Sequence, residues 1–498
     1  MRTPARTTAT AVALVTTSVA VVAASLSPAM AEPPEFTRTL VTEDAVGPAF
    51  TAVGDVVGDP RPELVSTTYG ALTMQGPAAL PEPGSVTLYT NAGRRRGGGV
   101  DTWKTTPVIE PSDGIIFPSE PTLADVDGDG DVDVIQPAGY FWDSGMGFSR
   151  GSLTWWENRD TPRSVREVLA LAKCAVASRG ASQLKECRAR LRDWKRHDIL
   201  TDSPFAYHDL QHVDFDGDGR KDLVTVGEQG FNASDTTDDV VALQFFKGDG
   251  KGRFAAPVTL ADRGGSSPVV TDVDGDGDLD VASAQYFGVS PAVLGPPTGE
   301  ASFVWFERVG DAADGLTASD FVMHEISRGQ GPSFSIHRVE NLFGDGTDRW
   351  VGVNHTNTTP GNPGPPVFLR AKPDVFLMTP GADPRTPWTV APLAAGVDPG
   401  ADFTASPRPG QAAPGKTGFG DIDGDGDLDL AVSGDGAFRL YWLEQTAPGT
   451  FQQHVLPESE GWGQAGGAKI ADLDRDGTND ITFSSFENNK IGIWSPTS

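Results

Sequence analysis

Two cysteines in 498 residues are too few for a disulfide scaffold or a cysteine-rich zinc site. Basic residues are also scarce: 39 Lys and Arg stand against 68 Asp and Glu, a formal charge of −29. Such a chain repels phosphate backbones and anionic headgroups, which excludes a nucleic-acid binder and a protein held to an acidic membrane by charge. Histidine, the usual acid–base residue near neutrality, occurs only seven times. Past the amino terminus, no stretch is apolar enough to span a bilayer.

The amino terminus itself reads as a signal peptide over residues 1–31. Arg2 and Arg6 precede an uncharged, small-residue stretch from Ala9 to Ala24, and Ala29-Met30-Ala31 supplies a cleavage pattern before Glu32. The expectation is a secreted, extracellular monomer formed by residues 32–498.

What the sequence has in excess is aspartate, and it is clustered. Asp125, Asp127, Asp129, Asp131 and Asp133 alternate with Val and Gly, and the pattern returns at Asp214, Asp216, Asp218, Arg220 and Asp222. It returns again at Asp272, Asp274, Asp276, Asp278 and Asp280, and at Asp421, Asp423, Asp425, Asp427 and Asp429. The last copy holds Asp472, Asp474, Asp476, Thr478 and Asp480. Carboxylates at loop positions 1, 3, 5 and 9, with a carbonyl available at position 7, form a hard oxygen cage suited to Ca²⁺. An EF-hand would need an acid at position 12, where Gln136, Thr225, Ser283, Val432 and Phe483 stand instead. Without a cation, so many neighbouring carboxylates repel. About five structural calcium sites are therefore expected. Asp55, Asp59 and Glu63 make a weaker sixth loop, lacking the ligand at position 3. A seventh, from Asn341 to Arg349, has Phe343 at position 3 and a cation at position 9, so Arg349 is expected to replace the metal.

Each loop is flanked alike. A β-branched run follows it, then an aromatic strand such as Leu153–Trp156 or Phe303–Phe306, then a short strand opening on an aromatic. That fourth strand is found six times after a loop, beginning at Trp103, Trp194, Phe254, Phe321, Trp388 and Phe451. The missing copy is Phe36–Val41, right after the signal peptide. The expected fold is all-β: a seven-bladed β-propeller of four-stranded blades, closed by the N-terminal strand, with ~67 residues per blade. These D-x-D-G-D-G-x-x-D loops resemble those of the FG-GAP/VCBS-type repeat family, and the resemblance covers nearly all of residues 32–498. It implies the seven-bladed propeller of integrin α-subunits; its members include adhesion proteins, lectins and some sugar-modifying enzymes.

One insertion, about 160–195, breaks the pattern. Its apolar residues have helical spacing on both sides of a glycine-containing break, and Cys174 and Cys187 both fall within it, predicting a helical hairpin stapled by a disulfide.

His197, His324 and His454 share one place in the fourth strand, three residues after its opening aromatic, and read as structural. The ends of the second strands should ring one mouth of the central channel: Tyr69, Gly139, Glu228, Tyr286, His355, Asp435 and Phe486. The leading expectation is a calcium-binding module for an extracellular glycan or protein ligand. Tyr69, Tyr140, Trp142, Tyr286 and Asp435 are candidate contacts. The alternative is a carbohydrate-active lyase or dehydratase, with His208, His337, His355 and Glu228 as acid–base groups at that mouth.

Overall fold

The computed structural model describes residues 33–58, 61–75, 78–91, 102–139, 151–159, 194–229, 240–286, 300–312, 315–355, 374–393, 413–435, 439–462 and 465–497. Seven four-stranded antiparallel sheets form the blades of a propeller. The first pairs Pro48–Gly54, Glu63–Thr68, Ser85–Asn91 and Trp103–Ile109. The second pairs Thr122–Ala124, Asp133–Ala138, Gly151–Glu157 and Lys195–Ser203; the third pairs Ala206–Val213, Asp222–Gln229, Val240–Phe246 and Val258–Ala261. In the fourth are Val269–Thr271, Asp280–Ala284, Ala301–Arg308 and Phe321–Arg328; in the fifth, Ser333–Val339, Arg349–Asn354, Val375–Thr379 and Thr389–Pro392. The sixth holds Ala413–Gly420, Asp429–Asp435, Tyr441–Ala447 and Thr450–Val455.

Closure is made by the seventh. Ala465–Ala471, Asp480–Ser485 and Lys490–Thr497 take their outermost partner from the other end of the chain, Glu35–Thr42, which pairs in antiparallel register from Glu35 opposite Thr497 to Thr42 opposite Ile491. The first strand of each blade touches that of the next, and the last touches the first, so these strands line a closed ring.

Second and third strands are packed on both faces, which explains why Gly151–Glu157 and Ala301–Arg308 are buried from end to end. Seven buried clusters follow, one at each junction between adjacent blades. At the closing junction Leu64 and Tyr89 of the first blade meet Leu473, Ile491 and Ile493 of the seventh. Deleting Glu35–Thr42 would strip the outer edge from the last blade and expose the hydrogen-bonding groups of Lys490–Thr497. Such a truncation should melt at lower temperature and self-associate, both readable by calorimetry with light scattering.

The expected fourth-strand histidines sit directly across from tryptophans: Trp155 faces His197, Trp305 faces His324 and Trp442 faces His454. Each imidazole packs on its indole and bonds a glutamate two residues further along the third strand, His197 to Glu157 at 2.7 Å, His324 to Glu307 at 2.6 Å and His454 to Glu444 at 2.5 Å. This is a repeated cross-strand clamp.

Three details differ from expectation. The fourth strand of the third blade begins at Val258; Phe254 makes only an isolated bridge to Gly248. A short hairpin, Leu72–Gln75 with Ala78–Pro81, adds two strands beyond the four expected for the first blade. The insertion must also end earlier, because Lys195 opens a strand. Residues 160–193, with Cys174 and Cys187, lie outside the described residues, so the helical hairpin and the disulfide do too. Among the described residues there is no α-helix, and hence no helix long and apolar enough to cross a membrane.

Candidate functional site

Five aspartate clusters sit between the first and second strands of the second, third, fourth, sixth and seventh blades. Asp125 with Asp127 and Asp133, Asp214 with Asp216 and Asp218, Asp272 with Asp274 and Asp276, Asp421 with Asp423 and Asp429, and Asp472 with Asp474 and Asp480 each bring three ligand oxygens within 4.8 Å of one another.

The loops are held by their own backbone. Asp125 accepts hydrogen bonds from the Gly128, Asp129 and Gly130 amides at 2.8, 3.0 and 2.9 Å. Gly128 and Gly130 can aim those amides inward because both adopt the left-handed conformation, with φ of 80° and 94°. In the seventh blade Arg475 accepts the same strain at φ 59°. The ninth-position aspartate ties loop to sheet. Asp133 takes the Val126 amide at 3.0 Å and the Asn158 amide at 2.7 Å; Asp280 and Asp429 repeat the arrangement with Val273 and Arg308, and with Ile422 and Gln445.

Burial pushes Asp133, Asp280, Asp429 and Asp480 up to about 7, and Asp222 up to about 6. Oxygens Oδ1 of Asp214 and Oδ1 of Asp278 are buried without a hydrogen-bond partner. Clustered, desolvated and incompletely bonded carboxylate oxygens fit a hard divalent cation such as Ca²⁺. Asp129, Asp131, Asp425 and Asp427 lie in the same loops, outside the three-residue groups.

Two clusters already touch an internal cation. Lys247 contacts Asp216 and Asp218, the latter at 2.8 Å, and Arg385 contacts Asp274 while also holding Glu307. A metal ion bound at either cluster would compete with them. Replacing Lys247 or Arg385 by Met should tighten the corresponding site by about two- to fivefold, the scale of a partly exposed ion pair. Terbium luminescence titration measures this; weaker binding in the variants would contradict the competition.

The two degenerate loops behave differently. Glu63 receives the Val56 and Val57 amides at 2.8 and 3.2 Å and Asp55 receives Gly58 at 2.8 Å, whereas Asp59 lies outside the described residues. In the fifth blade Arg349 holds the turn by hydrogen bonds: its guanidinium reaches Asp345 at 2.5 Å and the Thr347 carbonyl at 2.9 Å, and packs over Phe343.

The acid–base candidates fall in different surroundings. His208 pairs with Glu228 at 3.2 Å, and Glu228 also accepts from Ser266 at 2.9 Å. His355 bonds the Pro414 carbonyl at 2.9 Å and lies between Phe334 and Tyr286. Phe334 also meets the edge of His208. Tyr69 stacks on Phe117. Tyr140 and Trp142 are outside the described residues, and Asp435 ends its strand.

His337 instead lines a central cavity of about 890 Å³ among the first strands. That cavity contains an ion network that no local motif announces. Lys416 reaches Glu120, Asp209 at 2.7 Å and Ser267 at 2.6 Å, and Lys469 reaches Glu120 at 2.8 Å. Burial works to raise Glu120, yet the two ammonium groups outweigh it and hold the carboxyl down to about 2. Burial raises Asp209, with Glu120 adding to the effect against the pull of Lys416. Burial, followed by Lys416 and Lys469, lowers His337 to about 3, so its imidazole is neutral.

Several catalytic fingerprints occur in the sequence by spacing alone. Gly410 to Thr417 has P-loop spacing, Gly147 to Gly151 has that of a nucleophile elbow, and Gly461 to Gly466 that of a dinucleotide turn. Each requires a strand leading into a helix. Here Gly415, Lys416 and Thr417 lie within a strand, Gly151 opens one, and Gly466 lies near the start of another. Their context rejects all three.

Comparison with known proteins agrees with the loops. Residues 214–283 and 421–483 match the family described as FG-GAP-like repeat. No curated protein matches the chain. Among solved structures, BBS1N in complex with ARL6DN, soaked with lead, is similar at 8% identity and a TM-score of 0.44, covering 93% of this chain and 97% of that one. The same complex soaked with mercury gives 9% identity and a TM-score of 0.44, covering 93% and 96%.

Proposed function

We propose that this chain of FG-GAP-like repeats is a secreted, calcium-loaded β-propeller acting as an extracellular ligand-binding module, with carbohydrate or another polymer as its ligand. The observation that carries the reading is the set of five three-aspartate clusters at equivalent positions of five blades. Repetition at one structural position points to a scaffold role, because a reaction centre needs one constellation rather than five. Calcium then ties the first strand of each of these blades to its second, and the connections on the rigid ring are free to carry recognition.

Secretion is supported by Arg2, Arg6 and the apolar stretch before Ala29-Met30-Ala31. A binding module is favoured over the lyase or dehydratase alternative because the four acid–base candidates do not share one cavity: His337 lines the central one, whereas His208 and His355 pack on Phe334. His208 and Glu228 pair with each other, His355 is held by a backbone carbonyl, and His337 belongs to the central cavity. A glycan array run in calcium and in chelator, with a turnover assay on each hit, tests the function. Calcium-dependent binding without turnover supports the module. Turnover abolished by replacing His208 or Glu228 would establish the enzyme instead.

A further inference from the structure

We propose that the central cavity is itself a binding site, and that it takes a neutral polyhydroxylated ligand of sugar size. The inference rests on the ligand-binding reading above and assigns its location and chemistry. Six of the seven blades contribute to the cavity wall, among them Ala52, Thr122, Asp209, His337, Lys416 and Lys469. Its volume of about 890 Å³ lies within the ~300–1,000 Å³ of small-molecule sites.

The wall contains polar groups that the protein leaves unsatisfied. Thr417 Oγ1, His337 Nε2 and His212 Nδ1 have no hydrogen-bond partner within the protein, and all three residues are among those lining this cavity. Thr417 is only 5% exposed. A buried polar group left unmade costs about 1–3 kcal/mol, so several such groups on one wall favour an occupant, water or a ligand that displaces it, that bonds them. Lys469 adds ammonium hydrogens beyond the one directed at Glu120.

Charge decides the class of occupant. Three ammonium groups of the wall, Lys221, Lys416 and Lys469, stand against three carboxylates, Asp125, Glu120 and Asp209, and Lys416 and Lys469 are paired with Glu120 and Asp209 within one network. Lys416 directs its donors at Glu120, Asp209 and Ser267, so an anion such as phosphate finds no spare charge there. An apolar ligand would strand Thr417 and His337. Hydroxyl groups both donate and accept, and so satisfy an ammonium, a neutral imidazole, a threonine hydroxyl and carboxylate lone pairs together.

The test uses the full-length, calcium-loaded protein and a panel of neutral mono- and disaccharides, followed by saturation-transfer NMR and titration calorimetry. At least one sugar should bind, and Thr417→Val and Lys469→Met should each weaken it at least tenfold. Calcium stoichiometry and melting temperature of the variants confirm folding. Sugar binding unchanged in both folded variants overturns the cavity assignment while leaving a ligand-binding module in place. Binding of inorganic phosphate in preference to every sugar overturns the neutral-ligand assignment. No binding of free sugars, together with a blank glycan array, overturns both this inference and the carbohydrate reading beneath it.

Discussion

Chelating calcium should lower the melting temperature by roughly 10 °C or more. A cation bound only by the folded chain adds RT ln(1 + [L]/Kd), about 2.7 kcal/mol per site at a concentration 100-fold above Kd. Five sites act together, and ~1 kcal/mol moves the melt of a domain of 150–250 residues by about 2–4 °C, less for a larger one. The effect must also depend on pH. Burial raises Asp133, Asp280, Asp429 and Asp480 to about 7 when only the protein's own groups act on them. Their unfolded value is near 3.9, so the calcium-free fold gains stability from bound protons. That gain is complete below the unfolded value and is lost as pH rises through about 7. Calcium needs the same oxygens deprotonated. The difference between loaded and chelated melts should therefore be widest above pH 7 and narrow towards pH 5. Differential scanning calorimetry reads it; equal differences at pH 5 and pH 8 would contradict competition between proton and metal.

The second large effect is expected at Lys416. Its side chain is 5% exposed and stands between Asp209 and Glu120, themselves 15% and 11% exposed. Lys416→Met removes the charge that balances Asp209 and leaves Lys469 alone on Glu120. Breaking a buried pair on one side costs about 3–5 kcal/mol. Denaturant titration in saturating calcium measures the loss separately from the metal sites. Removing Lys416 and Asp209 together, as Lys416→Met with Asp209→Leu, should recover much of it, since no lone charge then remains. Full loss in the double variant would mean that packing, not charge balance, gives Lys416 its importance. The network has its own pH signature. Glu120 is held near 2, below its unfolded value near 4.3, so its contribution is present above that unfolded value and disappears as pH falls towards 2.

Sequence order explains what could be read in advance. The aspartate loops are local, nine residues from first ligand to last, so their chemistry is visible in the string of letters. Closure by Glu35–Thr42 was legible because a repeat with one strand missing at its end implies a partner at its beginning. Arg349 was legible from its place in a loop that had lost its ligands. The histidine clamp was half legible: a shared position marked His197, His324 and His454 as structural, but not Glu157, Glu307 and Glu444 as partners, because those contacts depend on strand register. The cavity network was not legible. Glu120 and Lys469 are 349 residues apart and meet only because the ring closes. No spacing rule connects them, and Lys416 and Thr417 sit in a P-loop-like string whose structural context is a strand.

The most direct test of the account is the number of calcium ions bound by chelated, refilled protein, measured by titration calorimetry and elemental analysis. Five per chain are predicted, falling by one when Asp421 and Asp423 are both replaced by Ala, while the Asn341–Arg349 loop binds none. A protein that takes up no calcium, or whose stoichiometry ignores those replacements, would contradict it.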